Sequence, residues 1–301
     1  MTVRVPAKLN LGLSVGQRRA DGFHELQTVF HAVGLCDTVT ASRADTLGLE
    51  LSGPERGDLP ADQRNLAWQA AQLIAKHAGI EPSVRLAVDK QIPIAAGLAG
   101  GSADAGATLL ACDRLWQLRL GQAELAQLAA ELGSDVTFAL HGGSALGTGR
   151  GERLSEITGA GRFHWVLAVA SGGLSTPAVY AEFDRQQAGR RQPPSDLNAL
   201  LAALADPEPA RLAELLGNDL QAAALELAPQ LRETLAAGRA AGALAGLVSG
   251  SGPTCAFLAA DAEHAKLLAA AIAASQTCRW ARPVLGGVAG ASVVEPARVL
   301  G

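Results

Sequence analysis

Aromatic side chains are scarce: Phe, Trp and Tyr make up 4% of the 301 residues, with six Phe and a single Tyr. A ligand ring held by stacking therefore has few partners to choose from. Charge is thin as well, at 18% Asp, Glu, Lys and Arg, and the net charge is −4. That balance excludes a general electrostatic pull toward nucleic acid, so an anionic ligand needs a local site. Lysine stands only at Lys8, Lys76, Lys90 and Lys266. The cysteines, Cys36, Cys112, Cys255 and Cys278, form no Cys-x-x-Cys pair. Their spacing suits neither a zinc cluster nor a compact disulfide framework, and predicts reduced, largely buried thiols. No eighteen-residue apolar run is present, and Met1–Asn10 carries Arg4, Pro6 and Lys8 where a secretory leader needs an apolar centre. The expected location is cytoplasmic, without membrane attachment. Gly-Lys pairs and G-x-G-x-x-G are both missing, which removes the P-loop and the dinucleotide fingerprint.

What is present builds a core: 49% of residues are hydrophobic, and the length favours roughly two domains. Short β-type runs are predicted at Val3–Val5, Leu9–Val15, Leu26–Val33 and Asp37–Ala41, broken by Gly16 and by Asp21-Gly22. Ser52–Asp62, with two prolines and two glycines, reads as a surface loop. Asn65 can cap a helix running to about His77. A strand at Val84–Val88 follows, then helices at Ala103–Leu118 and Gln122–Leu132, and a short strand among the glycines of 142–151 and 158–161. The second half opens with a strand at Trp165–Ala170. It continues mainly helical over Asp196–Ala240 and closes with strands at Ala243–Val248, Thr254–Leu258 and Trp280–Val284 around a helix at Ala262–Ala274. Gln187–Ser195, rich in Arg and Pro, reads as a loop of open role. The mixture predicts an α+β fold in two lobes.

The most informative stretch lies between the Val84 strand and the Ala103 helix. Residues 93–104 read Pro-Ile-Ala-Ala-Gly-Leu-Ala-Gly-Gly-Ser-Ala-Asp. Glycines permit close backbone approach, and a helix start offers unpaired amides with partial positive charge. Strand, glycine loop and helix in that order make a cradle for phosphate; the alternative is an ordinary glycine turn before a core helix.

Three segments taken together resemble the GHMP kinases, a family of small-molecule ATP kinases. They are Pro6-Ala-Lys-Leu-Asn-Leu11 with Arg18-Arg-Ala-Asp-Gly-Phe-His-Glu-Leu26, the glycine loop, and Gly246-Leu-Val-Ser-Gly-Ser-Gly-Pro253. The resemblance runs nearly end to end. It implies an N-terminal GHMP kinase ATP-binding domain over 1–160, like ribosomal protein S5 domain 2, and a ferredoxin-like C-terminal domain over 161–301. Within the family, the Pro6 and Asp21 segments and Ser134-Asp-Val-Thr-Phe138 look like the branch that phosphorylates the 2-hydroxyl of 4-diphosphocytidyl-2-C-methyl-D-erythritol. That is a step of the non-mevalonate route to isoprenoid precursors.

The resemblance also implies roles. Lys8 and Asp135 match the catalytic lysine and aspartate, with Asp135 the candidate base. Pro93, Ile94, Ala95, Ala96, Gly97, Leu98, Ala99, Gly100, Gly101, Ser102 and Ala103 match the ATP loop, and Ser102 the ligand of Mg2+. Asn10, Phe23, His24, Thr176 and Tyr180 match acceptor-binding positions, Phe23 and Tyr180 as the pair that stacks on cytosine. Each has a plain alternative: a solvated strand lysine, a turn aspartate, a helix N-cap serine, half-buried lobe aromatics, a strand-end amide, a turn histidine. Ala99 replaces a glycine common in the family, and is expected to serve with φ negative. Asp104 has no assigned role, and Val248-Ser-Gly-Ser-Gly252 reads as an approach to the phosphates or the methylerythritol end, as a tight hairpin, or as both. The implied partners are ATP, Mg2+ and a small molecule, with no nucleic acid and no membrane, in a monomer or homodimer. The rivals are a GHMP kinase for another alcohol, such as homoserine or mevalonate, and a non-catalytic binder of the same fold.

Overall fold

The computed structural model describes residues 1–187, 197–206 and 208–294. Strands β1 (Thr2–Arg18) and β2 (His24–Arg43) form one long antiparallel hairpin, followed by β3 (Gly48–Ser52), α1 (Leu66–Ala78), β4 (Val84–Asp89) and α2 (Gly100–Trp116). Next come α3 (Gln122–Leu132), α4 (Ser134–His141), β5 (Ser144–Gly149), β6 (Arg153–Glu156) and β7 (His164–Val169). A helical stretch holds α5 (Thr176–Gln186), α6 (Asn198–Leu204), α7 (Pro209–Ala213), the short strand β8 (Gly217–Asn218), α8 (Gln221–Leu227) and α9 (Leu231–Ala240). The chain closes with β9 (Ala245–Val248), β10 (Thr254–Ala259), α10 (Ala262–Ala274), β11 (Trp280–Leu285) and β12 (Ser292–Val293).

The four short runs expected in the first fifty residues are two long strands. Gly16 does not break β1; register shifts at Pro6/Ala7, Asn10/Gly12 and Val15/Arg18 absorb the irregularities instead. Bulges of this kind bend a strand without ending it. The Asp21-Gly22 turn is as read: the Phe23 amide donates to Asp21 Oδ1 at 3.1 Å and Arg18 Nε to the Gly22 carbonyl at 3.1 Å. The Asn65 cap also stands, its side chain accepting from the Ala67 amide at 2.9 Å, and Gly79 closes α1 in the left-handed region. Ser52–Asp62 is a surface loop as read, with one exception: Glu55 is buried and binds Arg279 Nη2 at 2.6 Å and Trp280 Nε1 at 3.1 Å. Of 187–195, all but Gln187 lies outside the described residues.

Two sheets carry the architecture. The first has the order β12-β1-β2-β4-β3, with β5 paired to β2, β6 paired to β5, and β8 running parallel to β1. The second is antiparallel in the order β11-β7-β10-β9. Numbered by chain order within that lobe the strands run 4-1-3-2, with helices after the first and third, the ferredoxin-like arrangement. The lobes share a core: Trp165, Leu167, Leu247 and Leu258 of the second sheet join the cluster built on β1, β2 and α2. Helix α2 is buried on nearly every face, which explains its small residues: a Cβ on Gly106 would stand 3.2 Å from the Ala139 Cβ. No described helix is long and apolar enough to cross a membrane.

Candidate active site

The glycine loop leaves β4 at Asp89 and enters α2 at Gly100, three residues before the expected helix start at Ala103. Ser102 is therefore the third residue of the helix and not its N-cap; Ala99 occupies that place without a side-chain bond. Contrary to the expectation of a negative φ, Ala99 sits at φ 58°, and Ala95 at φ 50°. Each costs about 1 kcal/mol or more for a residue with a Cβ. The loop must turn this sharply because Gly97, at φ 73°, packs on the second lobe: a Cβ there would lie 2.2 Å from the Ser249 carbonyl. Ser249 Oγ donates to the Gly97 carbonyl at 3.2 Å.

Beneath the loop lies a buried ionic cluster. Lys90 Nζ bonds Asp37 Oδ2, Asp104 Oδ2 at 2.6 Å and the Gly100 carbonyl at 3.3 Å. Asp37 Oδ1 in turn accepts from the amides of Gln91 at 2.6 Å and Ile92 at 2.8 Å. Burial alone would lower the Lys90 pKa, but Asp104 and Asp37 overcome it and raise it above the usual lysine value. Burial drives the Asp104 carboxyl well above the carboxylate range, against the pull of Lys90. The cluster ties β2, the loop and the first turn of α2 together. Asp104, without a role in the sequence reading, thus belongs to the loop's foundation. Lys90 and Asp37 carry no assigned role in the sequence reading; the scarcity of lysine, four in the chain, was the only available signal.

Lys8, near the middle of β1, is tied to the loop through its amide, which donates to the Leu98 carbonyl at 3.2 Å. Its ammonium donates to Asn10 Oδ1 at 2.6 Å and faces Asp135 Oδ2 at 3.8 Å. Asn10 passes the chain on, donating to Thr28 Oγ1 at 2.8 Å, which donates to the Gly12 carbonyl at 2.9 Å. Asn10 is thus not a strand-end residue but a buried partner of Lys8 that lines the same cavity. Burial lowers the Lys8 pKa from its ordinary value, partly opposed by Asp135. Asp135 lies in the first turn of α4, where the helix dipole favours a carboxylate; its side chain is one-third exposed.

These groups line a cavity of about 460 Å3 that also takes in Ile94, Gly101, Ser102, Arg150 and Gly250. From the loop run, Leu98 and Ala103 do not line it; both are core residues. A second cavity, about 400 Å3, is lined by Phe23, His24, Tyr180 and Asp184. Leu26, Ser134, Arg150, Thr176 and Tyr180 belong to both walls. His24 stacks on Tyr180 at 5.1 Å between centroids, and its Nε2 bonds Asp184 Oδ1 at 2.8 Å. Phe23 is 52% exposed, with the Arg150 guanidinium 4.9 Å over its ring. Burial, with the Asp135 charge adding to it, pushes the Tyr180 phenol upward. Thr176 Oγ1 bonds Ser251 Oγ at 2.8 Å, and Asn218 Nδ2 fixes the 249–252 loop through the carbonyls of Val248 at 2.8 Å and Gly250 at 2.7 Å. A Cβ on Gly250 would stand 3.0 Å from Asn10 Oδ1 and 3.3 Å from Lys8 Nζ, so this loop closes over that pair. Arg150 and Asp184 were missed in the sequence, where nothing marks them.

Comparison with known proteins agrees with this architecture. The profile of the GHMP kinases N terminal domain matches residues 65–143, and that of GHMP kinases C terminal matches residues 200–276. A relative from Mycolicibacterium gilvum, named 4-diphosphocytidyl-2-C-methyl-D-erythritol kinase, is 57% identical over 98% of this chain and 92% of its own. The chain belongs to the GHMP kinase family. It is accordingly a small-molecule kinase with ATP as phosphate donor. A crystal structure of 4-(cytidine 5'-diphospho)-2C-methyl-D-erythritol kinase covers 96% of this chain and 100% of its own with TM-score 0.79 and 36% identity. A homoserine kinase from Cytophaga hutchinsonii covers 98% and 97% with TM-score 0.74 but 19% identity, a likeness of fold alone.

Proposed function

We propose that the chain transfers the γ-phosphoryl group of ATP to the 2-hydroxyl of 4-diphosphocytidyl-2-C-methyl-D-erythritol, in the non-mevalonate route to isoprenoid precursors. The observation that carries this reading is the juxtaposition of two cavities at one ion pair. The glycine loop and the start of α2 line one cavity, aromatic residues line the other, and Lys8 and Asp135 stand in the first beside the shared wall. The names borne by the relatives support the same acceptor.

In this reading the triphosphate lies on the loop, where the amides of the first turn of α2 meet its phosphates. Asp135 takes the proton of the acceptor hydroxyl as the oxygen attacks phosphorus. Lys8, held by Asn10, offsets the charge that grows on the transferring phosphoryl oxygens. Cytosine stacks between Phe23 and Tyr180, with His24 along its edge; Phe keeps the π-face needed for stacking. Thr176, bonded to Ser251, borders the diphosphate.

The Ser102 hydroxyl has no hydrogen-bond partner among the described residues and lines the first cavity, which fits a ligand of Mg2+. No group of three His, Cys, Asp or Glu stands ready for a metal among the described residues, so phosphate and water would complete the shell. When bound, the ion neutralises phosphate charge.

The test is ATP consumption by the purified protein with the cytidine-bearing acceptor, with homoserine, mevalonate and no acceptor alongside. Turnover with the first alone supports the proposal. Turnover only with another alcohol replaces the acceptor, and silence from folded, ATP-binding protein removes the reaction.

A further inference from the structure

Helix α5 carries Tyr180 and, one turn later, Asp184, so the two side chains share a helix face. Both line the second cavity, where the Asp184 carboxylate meets His24 at 2.8 Å. An ionised carboxylate only accepts, so this bond places a proton on His24 Nε2 and occupies Asp184 Oδ1. Oδ2 has no hydrogen-bond partner among the described residues, and the side chain is 39% exposed. An acceptor-only group thus stands on the wall where the acceptor's base is expected.

We propose that Asp184 is a specificity-determining residue that selects cytosine over uracil, an inference that rests on the function proposed above. Cytosine presents an exocyclic amine at the edge where uracil presents a carbonyl oxygen. Oδ2 accepts from the amine and repels the carbonyl, while Oδ1 holds His24 and with it the stacked Tyr180 in register. A carboxylate reading that amine is the pairing expected from base chemistry, and one good contact separates the right base from the wrong one by about ten- to a hundredfold.

The experiment is equilibrium binding of CDP and of UDP to the full chain, with Asp184→Asn and Asp184→Glu beside the wild type. The wild type is expected to prefer CDP by about tenfold or more. In Asp184→Asn the shape is kept but one acceptor becomes a donor, so the preference collapses toward parity while the KM for ATP holds. Asp184→Glu, which keeps the acceptor chemistry, retains part of the preference. A wild-type CDP-to-UDP ratio in the Asn variant overturns the assignment, as does a wild type that binds the two equally. Turnover of the cytidine-bearing acceptor is measured separately: its absence from wild type defeats the proposed reaction, whereas an unchanged ratio with turnover intact defeats only the role of Asp184.

Discussion

Substituting Gly101 by Val separates the phosphate cradle from the fold more cleanly than any other change in the loop. Gly101 is exposed at the second position of α2, and an added Cβ would meet only Leu66 Cδ1, at an ordinary 3.6 Å. Its φ is not in the left-handed region. Replacing a helical glycine recovers about 0.5–1 kcal/mol of backbone entropy, from which the β-branch of Val subtracts part. The free protein should therefore melt within about 2 °C of wild type. The new methyls, however, stand in the first cavity in front of the first-turn amides. Losing one charge-assisted amide–phosphate bond costs about 1.5–3 kcal/mol, which raises the KM for ATP by about ten- to a hundredfold. Gly97→Ala is the counterpart: its Cβ would fall 2.2 Å from the Ser249 carbonyl at φ 73°, so stability must fall first. Steady-state kinetics over ATP with thermal unfolding of both variants decides the matter. An unchanged ATP KM in Gly101→Val, with its melting temperature intact, would refute the cradle.

The remaining expectations concern the reacting pair, the base site and two buried groups. Asp135→Asn should lower kcat by about 10²–10⁴ with little change in the KM for ATP; equal losses in both would mark a structural aspartate. Tyr180→Ala should raise the acceptor KM by an amount worth about 1–3 kcal/mol, measured at saturating ATP, and an unchanged KM would take the ring out of the site. His31 is fully buried, its Nδ1 bonded to Ser144 Oγ at 2.8 Å, and burial lowers its pKa from 6.5 to about 3. The unfolded chain then binds a proton that the fold refuses, so stability is complete above about pH 6.5 and falls by about 1.4 kcal/mol per unit below it, about 2 kcal/mol by pH 5. Denaturant midpoints for His31→Gln should lose that slope. Lys90→Met strands Asp37 and Asp104 beneath the loop and should cost about 3 kcal/mol in chemical denaturation; adding Asp104→Asn should restore part of it.

The local signals legible in the sequence were those written in backbone chemistry. Asn65 opens α1 because a side-chain acceptor satisfies a helix start wherever it occurs. Asp21-Gly22 turned the hairpin for the same kind of reason. The length of β1 and β2 was hidden because bulges at Pro6 and Asn10 break the alternation that marks a strand, although the pairing continues. Helix α4 was hidden by brevity: Ser134–His141 offers two turns and two β-branched residues. Ala99 misled because sequence shows which φ a residue prefers, whereas the contact of Gly97 with Ser249 dictates which φ the loop must take. The glycine loop was legible from its own residues, but the pairing of Lys8 with Asp135 only through the resemblance. Lys8 and Asp135 are 127 positions apart in sequence, and neither spacing nor composition brings a mid-strand lysine to the first turn of a short helix.

The electrostatics of Lys8 give the arrangement its logic. Burial lowers its pKa and Asp135 raises it, yet at 3.8 Å the two do not form a tight pair, and the short bond of Lys8 goes to neutral Asn10. A carboxylate locked to the ammonium would be a poorer base, because separation would have to precede proton transfer. Held apart, Asp135 keeps one-third of its side chain exposed, which the proposed reaction requires of the group that meets the acceptor hydroxyl. The ammonium, aimed by Asn10, has lost its water without gaining a full counterion. In the proposed reaction, phosphate arriving on the loop supplies that missing negative charge. The desolvation borne by the free protein is then offset when the transferring group is in place, where low dielectric makes the attraction strongest. The Lys90 cluster beneath differs in kind: its ammonium is bonded to both neighbouring carboxyls and to the Gly100 carbonyl. One lysine is saturated beneath the loop; the other is left short of partners, a place the proposed reaction fills with substrate.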